Sequence, residues 1–131
     1  MANFKIITNN PMVWEEYREF TEYTNTTAEG ILVICRNAVH KGAVLINHPL
    51  SGSIQPNLCP YKSLVVSKEA YAQTNFQSLC LIEEALNRLN AGSSDIKDVV
   101  TADLHTLKDF QFIDLDLLNS ALASLPTEYY K

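Results

Sequence analysis

Ala43-Val44-Leu45-Ile46-Asn47, then His48-Pro49-Leu50-Ser51-Gly52-Ser53-Ile54-Gln55-Pro56-Asn57-Leu58-Cys59-Pro60-Tyr61, then Ser63-Leu64-Val65-Val66-Ser67 after Lys62: two short apolar runs flank a fourteen-residue loop holding three of the five prolines. Each run is continuous rather than alternating, the pattern of a strand buried on both faces. A connection this long with no secondary structure of its own is uncommon, and such loops are usually functional or disordered. Leu50, Ile54, Leu58 and Tyr61 can anchor this one, and its prolines restrict the backbone. The reading is therefore two buried strands joined by an ordered, functional loop.

Working outward, Phe4-Lys5-Ile6-Ile7-Thr8 is a β-prone run, and Asn9-Asn10-Pro11 reads as a strand-to-helix turn. Asn10 can cap the helix and Pro11 suits its first position. Val13, Trp14, Tyr17 and Phe20 supply an apolar side, and Thr21–Thr24 reads as a second strand. Thr26-Thr27-Ala28-Glu29 fits a capping box for a helix carrying Ile31, Ile34, Cys35, Ala38 and Val39, stopped at Gly42. Beyond the central strands, Thr74-Asn75-Phe76-Gln77 fits another capping box. It opens a helix with Leu79, Ile82, Ala85, Leu86 and Leu89. A further helix is expected from Ser94 or Asp95, and a last one capped by Asp114 and ending before Pro126.

The order β-α-β-α-β-loop-β-α, followed by extra C-terminal helices, predicts a single α/β domain over residues 1–131. Its sheet is expected to have four strands, mostly parallel, with helices on both faces. In such sheets ligands bind beyond the carboxyl ends of the strands. Thr8-Asn9-Asn10 and Asn47-His48 both fall at such ends.

Composition narrows the function. The chain has 131 residues, 47% hydrophobic and 19% charged, with a net charge of −5 and pI ≈ 5.1. That acidity argues against nucleic acid as a partner, and no apolar run is long enough for a membrane span. The N-terminal apolar run is too short for a signal peptide, and three cysteines without Cys-x-x-Cys spacing fit a reducing cytoplasm. From Gly30 to Lys68 there is no Asp or Glu, whereas Arg36, Lys41, Lys62, Lys68, His40 and His48 fall inside. Average composition would put roughly four acids there. The loop thus lies in a locally positive stretch of an acidic chain, which points to an anionic ligand or partner.

Ser51-Gly52-Ser53 can form a concave turn that holds a carboxylate or phosphate, or can be a tight turn and nothing more. The helix start after Asn10 offers further N–H groups. The candidate ligand-binding set is Thr8, Asn9, Asn10, His48, Ser51, Gly52, Ser53, Asn57, Tyr61 and Lys62. The bland alternatives are that the asparagines cap and turn and that His48 is a hydrogen-bonded structural residue. Covalent chemistry has little support. Ser51 lies near His48, but Gly-x-Ser-x-Gly is absent, and Cys59 is a lone thiol. The scattered histidines and missing carboxylates leave no metal site, and neither glycine-rich phosphate motif occurs. No cofactor is expected, and a non-enzymatic role fits better than catalysis.

Thr8-Asn9-Asn10-Pro11, His48-Pro49-Leu50-Ser51-Gly52-Ser53, Pro56-Asn57 and Pro60-Tyr61-Lys62-Ser63 together resemble the GrdX family, with Asp114-Leu115-Asp116 in the tail compatible with it. The likeness covers about the first seventy residues. These are small proteins encoded beside glycine, sarcosine and betaine reductase components of anaerobic amino-acid-fermenting bacteria. The family lends no catalytic residues. The resemblance implies a cytoplasmic accessory role in that metabolism, with either a small anionic metabolite or a reductase component as partner, and with a homodimer left open. Residues 69–131 hold ten acids against four Lys or Arg, which reads as a docking face or a solvated surface.

Overall fold

The computed structural model describes residues 3–49, 60–91 and 104–125. Strand β1 (Phe4–Thr8) leads into helix α1 (Pro11–Glu16), a 3-10 turn (Arg18–Phe20) and strand β2 (Thr21–Tyr23). Helix α2 (Ala28–His40), strand β3 (Ser63–Ser67), helix α3 (Phe76–Ala91) and helix α4 (Leu104–Ala123) follow. Local chemistry explains most of these starts. Asn10 Oδ1 accepts from Met12 N at 3.0 Å, with Pro11 in the first turn of α1. The cap of α2 is Thr27, one residue later than the Thr26 box predicts, because Thr27 Oγ1 takes Gly30 N. In the same way Asn75, rather than Thr74, caps α3 by accepting from Ser78 N.

The sheet has three strands in the order β2-β1-β3. β1 and β2 run parallel, as expected of strands joined by a crossover helix. β1 and β3 run antiparallel, pairing Phe4 with Ser67, Ile6 with Val65 and Thr8 with Ser63. The expected four-stranded, mostly parallel sheet is therefore corrected in two respects. Ala43–Asn47 makes an isolated antiparallel bridge to β3 (Leu45 to Val66) rather than a strand. Only two ladder bonds form, Ile46 N to Val65 O and Ser67 N to Val44 O, both 2.8 Å. Side chains take over the neighbouring positions: Ser67 Oγ accepts Val44 N, Ser78 Oγ accepts Leu45 N, and Asn47 Oδ1 accepts Val65 N. The direction of β3 follows from its connection. A parallel return needs a crossover element, and the sequence between 43–47 and β3 has no helical periodicity, in keeping with the antiparallel pairing of the two segments.

Side chains alternate across β1 and β3, so each strand feeds two layers. Ile7, Leu64 and Val66 meet Ile31, Leu32, Cys35 and Val39 of α2 and Ile82, Ala85, Leu86 and Leu89 of α3. Phe4, Ile6 and Val65 meet Val13 of α1 and Leu118 and Leu122 of α4. Helices therefore cover both faces. The expected break before Asp114 does not occur. No Gly or Pro interrupts 104–123, and one helix runs through. The proposed helix start at Ser94 or Asp95 lies outside the described residues.

Candidate functional site at one end of the sheet

The alternation that puts Phe4 and Ile6 on the α4 face puts Thr8 there too, opposite Ser63. Thr8 Oγ1 and Ser63 Oγ are 2.7 Å apart, and Ser63 Oγ donates to Asp114 Oδ2 at 2.6 Å. A hydroxyl has one proton, so Ser63 must accept from Thr8. Thr8 Oγ1 in turn accepts Asn10 N at 3.0 Å. The donors thus run in one direction, Asn10 N–H to Thr8 to Ser63 to Asp114. That polarity fits a carboxylate acceptor.

Asn10 completes the cluster. Its Nδ2 donates to Asp114 Oδ2 at 3.0 Å and to Gln111 O at 2.9 Å, while Oδ1 caps α1. Asp114 is 8% exposed. Burial raises its pKa above the ordinary value, and the bonds from Ser63 and Asn10 and the charge of Lys62 pull the other way. Asn9 fastens the neighbouring segments. Nδ2 donates to Thr26 O and Pro60 O, and Oδ1 accepts Lys62 N at 2.9 Å. Lys62 Nζ reaches back to Pro49 O at 2.8 Å, which brings both ends of the long loop together. Gln111 Nε2 donates to Tyr61 Oη at 2.8 Å.

Thr8, Asn9, Asn10, Tyr61 and Lys62 therefore converge at one end of the sheet. His48, one residue before the Pro49 carbonyl, lines two grooves beside 43–48. One, of about 400 Å³, lies against Leu117 and Ala121 of α4, and the other, of about 300 Å³, against Ser78 and Leu81 of α3. Ser51, Gly52, Ser53, Asn57 and the lone Cys59 lie outside the described residues. The polar atoms of Asn9 and Asn10 are engaged in internal bonds, so these two residues hold the site's frame. α1 is only six residues long, and Met12 N is already taken by Asn10.

Sequence reasoning missed Ser63, Gln111 and Asp114 as parts of this end. Asp114, Leu118 and Leu122 are spaced i, i+4, i+8, and all three are buried. An acid in register with a buried leucine stripe was the available signal. Among the described residues no group of His, Cys, Asp and Glu is arranged to hold a metal, and no helix is long and apolar enough to cross a membrane.

These features define a mixed α/β protein whose three-stranded sheet, covered by helices on both faces, ends in a closed polar cluster. The chain belongs to the GrdX-like protein family, whose model matches residues 5–123, from β1 to the end of α4. No curated protein and no solved structure matches it.

Proposed function

We propose that this GrdX-like chain is a non-enzymatic accessory protein of glycine, betaine or sarcosine reductase metabolism that binds a small carboxylate or phosphate. The ligand sits at the end of the sheet against Lys62, Tyr61 and His48. Thr8, Asn9 and Asn10 hold that end in shape. The observation that supports this reading is the meeting of Pro49 and Lys62 at 2.8 Å. It holds the two ends of the long loop together beside Asn9, and the sequence from Gly30 to Lys68 has no acid of its own. Positive potential with convergent donors favours small oxyanions. Calorimetric titration of the full chain with acetate, glycine, inorganic phosphate and acetyl phosphate tests it. Binding of at least one of them, weakened by Lys62→Met, is the expected result. No heat from any of them overturns it.

A second reading, an assembly partner of a reductase component, is favoured by Phe112 and Ile113. They are adjacent on α4 and 63% and 36% exposed. Co-purification with a reductase subunit that Phe112→Ser abolishes would select this reading over the first.

A further inference from the structure

The polar end of the sheet contains a carboxylate that an anion site would be expected to avoid. Asp114 comes from α4, outside the acid-free stretch, and its Oδ2 takes both available donors, Asn10 Nδ2 and Ser63 Oγ. Oδ1 accepts no bond among the described residues. No buried side-chain nitrogen or oxygen among them lacks a partner, so Oδ1 must touch solvent. A side chain more than nine-tenths buried thus shows one unsatisfied acceptor at the surface of the cluster. Gln111, one turn earlier on the same face of α4, bonds both Tyr61 Oη and Asn10 through its side-chain amide and its carbonyl. Asp114 is therefore held beside the Tyr61–Lys62 segment.

Resting on the small-anion reading above, we infer that Asp114 selects for anions that bring their own hydrogen-bond donor. The ligand class is a carboxylate with an ammonium or hydroxyl group on the adjoining carbon. Lys62 attracts the carboxylate of such a ligand, and Oδ1 accepts from its donor. A bare carboxylate gains the first contact and suffers repulsion from Asp114 without relief. The repulsive element gives the discrimination its sign.

The test is calorimetric titration of the full chain with acetate, glycolate, glycine and N,N,N-trimethylglycine. Glycolate and glycine should bind at least about tenfold tighter than acetate, the difference one charge-assisted hydrogen bond can give. Trimethylglycine, a zwitterion like glycine whose quaternary nitrogen has no N–H, separates donor from charge: binding no tighter than acetate supports the donor, and binding as tight as glycine overturns it. In Asp114→Asn the ratio of glycine to acetate affinity should fall to within about threefold, since the amide no longer repels acetate. A ratio unchanged in that variant, or acetate equal to glycine in the unaltered chain, overturns the inference while leaving the anion site standing. If none of the four binds, the inference falls, and the titrations with inorganic phosphate and acetyl phosphate decide the small-anion reading separately. The ratios in the unaltered chain decide the matter even if Asp114→Asn fails to fold.

Discussion

Asn10 Nδ2 donates to Asp114 Oδ2 across 3.0 Å, joining the cap of the first helix to the middle of the last, 104 residues further along the chain. The same amide caps α1 through Oδ1, so the orientation of the side chain is fixed at both ends. Asn10→Asp keeps the capping acceptor but replaces the donor with a second carboxylate facing the first. An ordinary cap exchange between these residues is nearly neutral. Here a loss of about 3–5 kcal/mol is expected, the range for an uncompensated buried charge. Urea unfolding at neutral pH checks it, and a loss under about 1 kcal/mol would show that the cluster does not fasten α4.

Asp114 predicts a pH dependence with a definite sign. Burial raises its folded pKa, outweighing the opposing pulls of Ser63, Asn10 and Lys62. A carboxyl raised in this way favours the fold while protonated and withdraws that contribution as pH climbs from the unfolded value through the folded one. Asp114→Asn has no such titration. The stability of the unaltered chain relative to Asp114→Asn should be greatest below about pH 4 and shrink as pH rises. Denaturation series across acid and neutral pH should show that slope. A flat or rising difference contradicts it.

Gly42 has φ 110, and a Cβ there would lie 2.1 Å from Tyr71 O. It ends α2, and Tyr71 N donates to Gly42 O at 2.9 Å, so the contact is with backbone that cannot step aside. Gly42→Ala should cost at least about 2 kcal/mol, combining left-handed strain with the clash. An unchanged melting temperature would be inconsistent with this crossing.

The cysteines should label unequally. Cys35 is wholly buried in α2, and desolvation pushes its thiol up to about 12, despite the charge of Lys5. Cys80 on α3 is exposed. Iodoacetamide on the native protein, followed by peptide mass analysis, should modify Cys80 and leave Cys35 intact until denaturant is added. Prompt native labelling of Cys35 would mean that α2 does not pack as described.

The elements were legible where a local pattern decides them. Phe4–Thr8, the Asn10-Pro11 turn, the α2 stripe and Ser63–Ser67 all follow from short-range chemistry. What escaped depends on partners far along the chain. Ala43–Asn47 reads as a strand by residue type, yet Ser67, Ser78 and Asn47 use side chains where a ladder would use backbone. Asp114 reads as a cap because Asp favours helix starts. Its actual role depends on Asn10 and Ser63, 104 and 51 residues away. The strand-end rule picks out Thr8-Asn9-Asn10 and Asn47-His48, but Tyr61 and Lys62 join that end only because β3 runs antiparallel to β1 and its first residue, Ser63, faces Thr8. The presence of a carboxylate among them was not legible either, because the charge count along the chain ends where the window ends.

The place of β1 has a consequence for how the chain is made. Of the three strands, β1 leaves the ribosome first, yet it is the middle strand of the finished sheet, and its antiparallel neighbour comes much later. At roughly 5–20 residues per second, the 55 residues between Thr8 and Ser63 take about 3–11 s to translate. Through that interval one edge of Phe4-Lys5-Ile6-Ile7 has no mate on the nascent polypeptide, making this the segment a chaperone at the exit tunnel has most reason to shield.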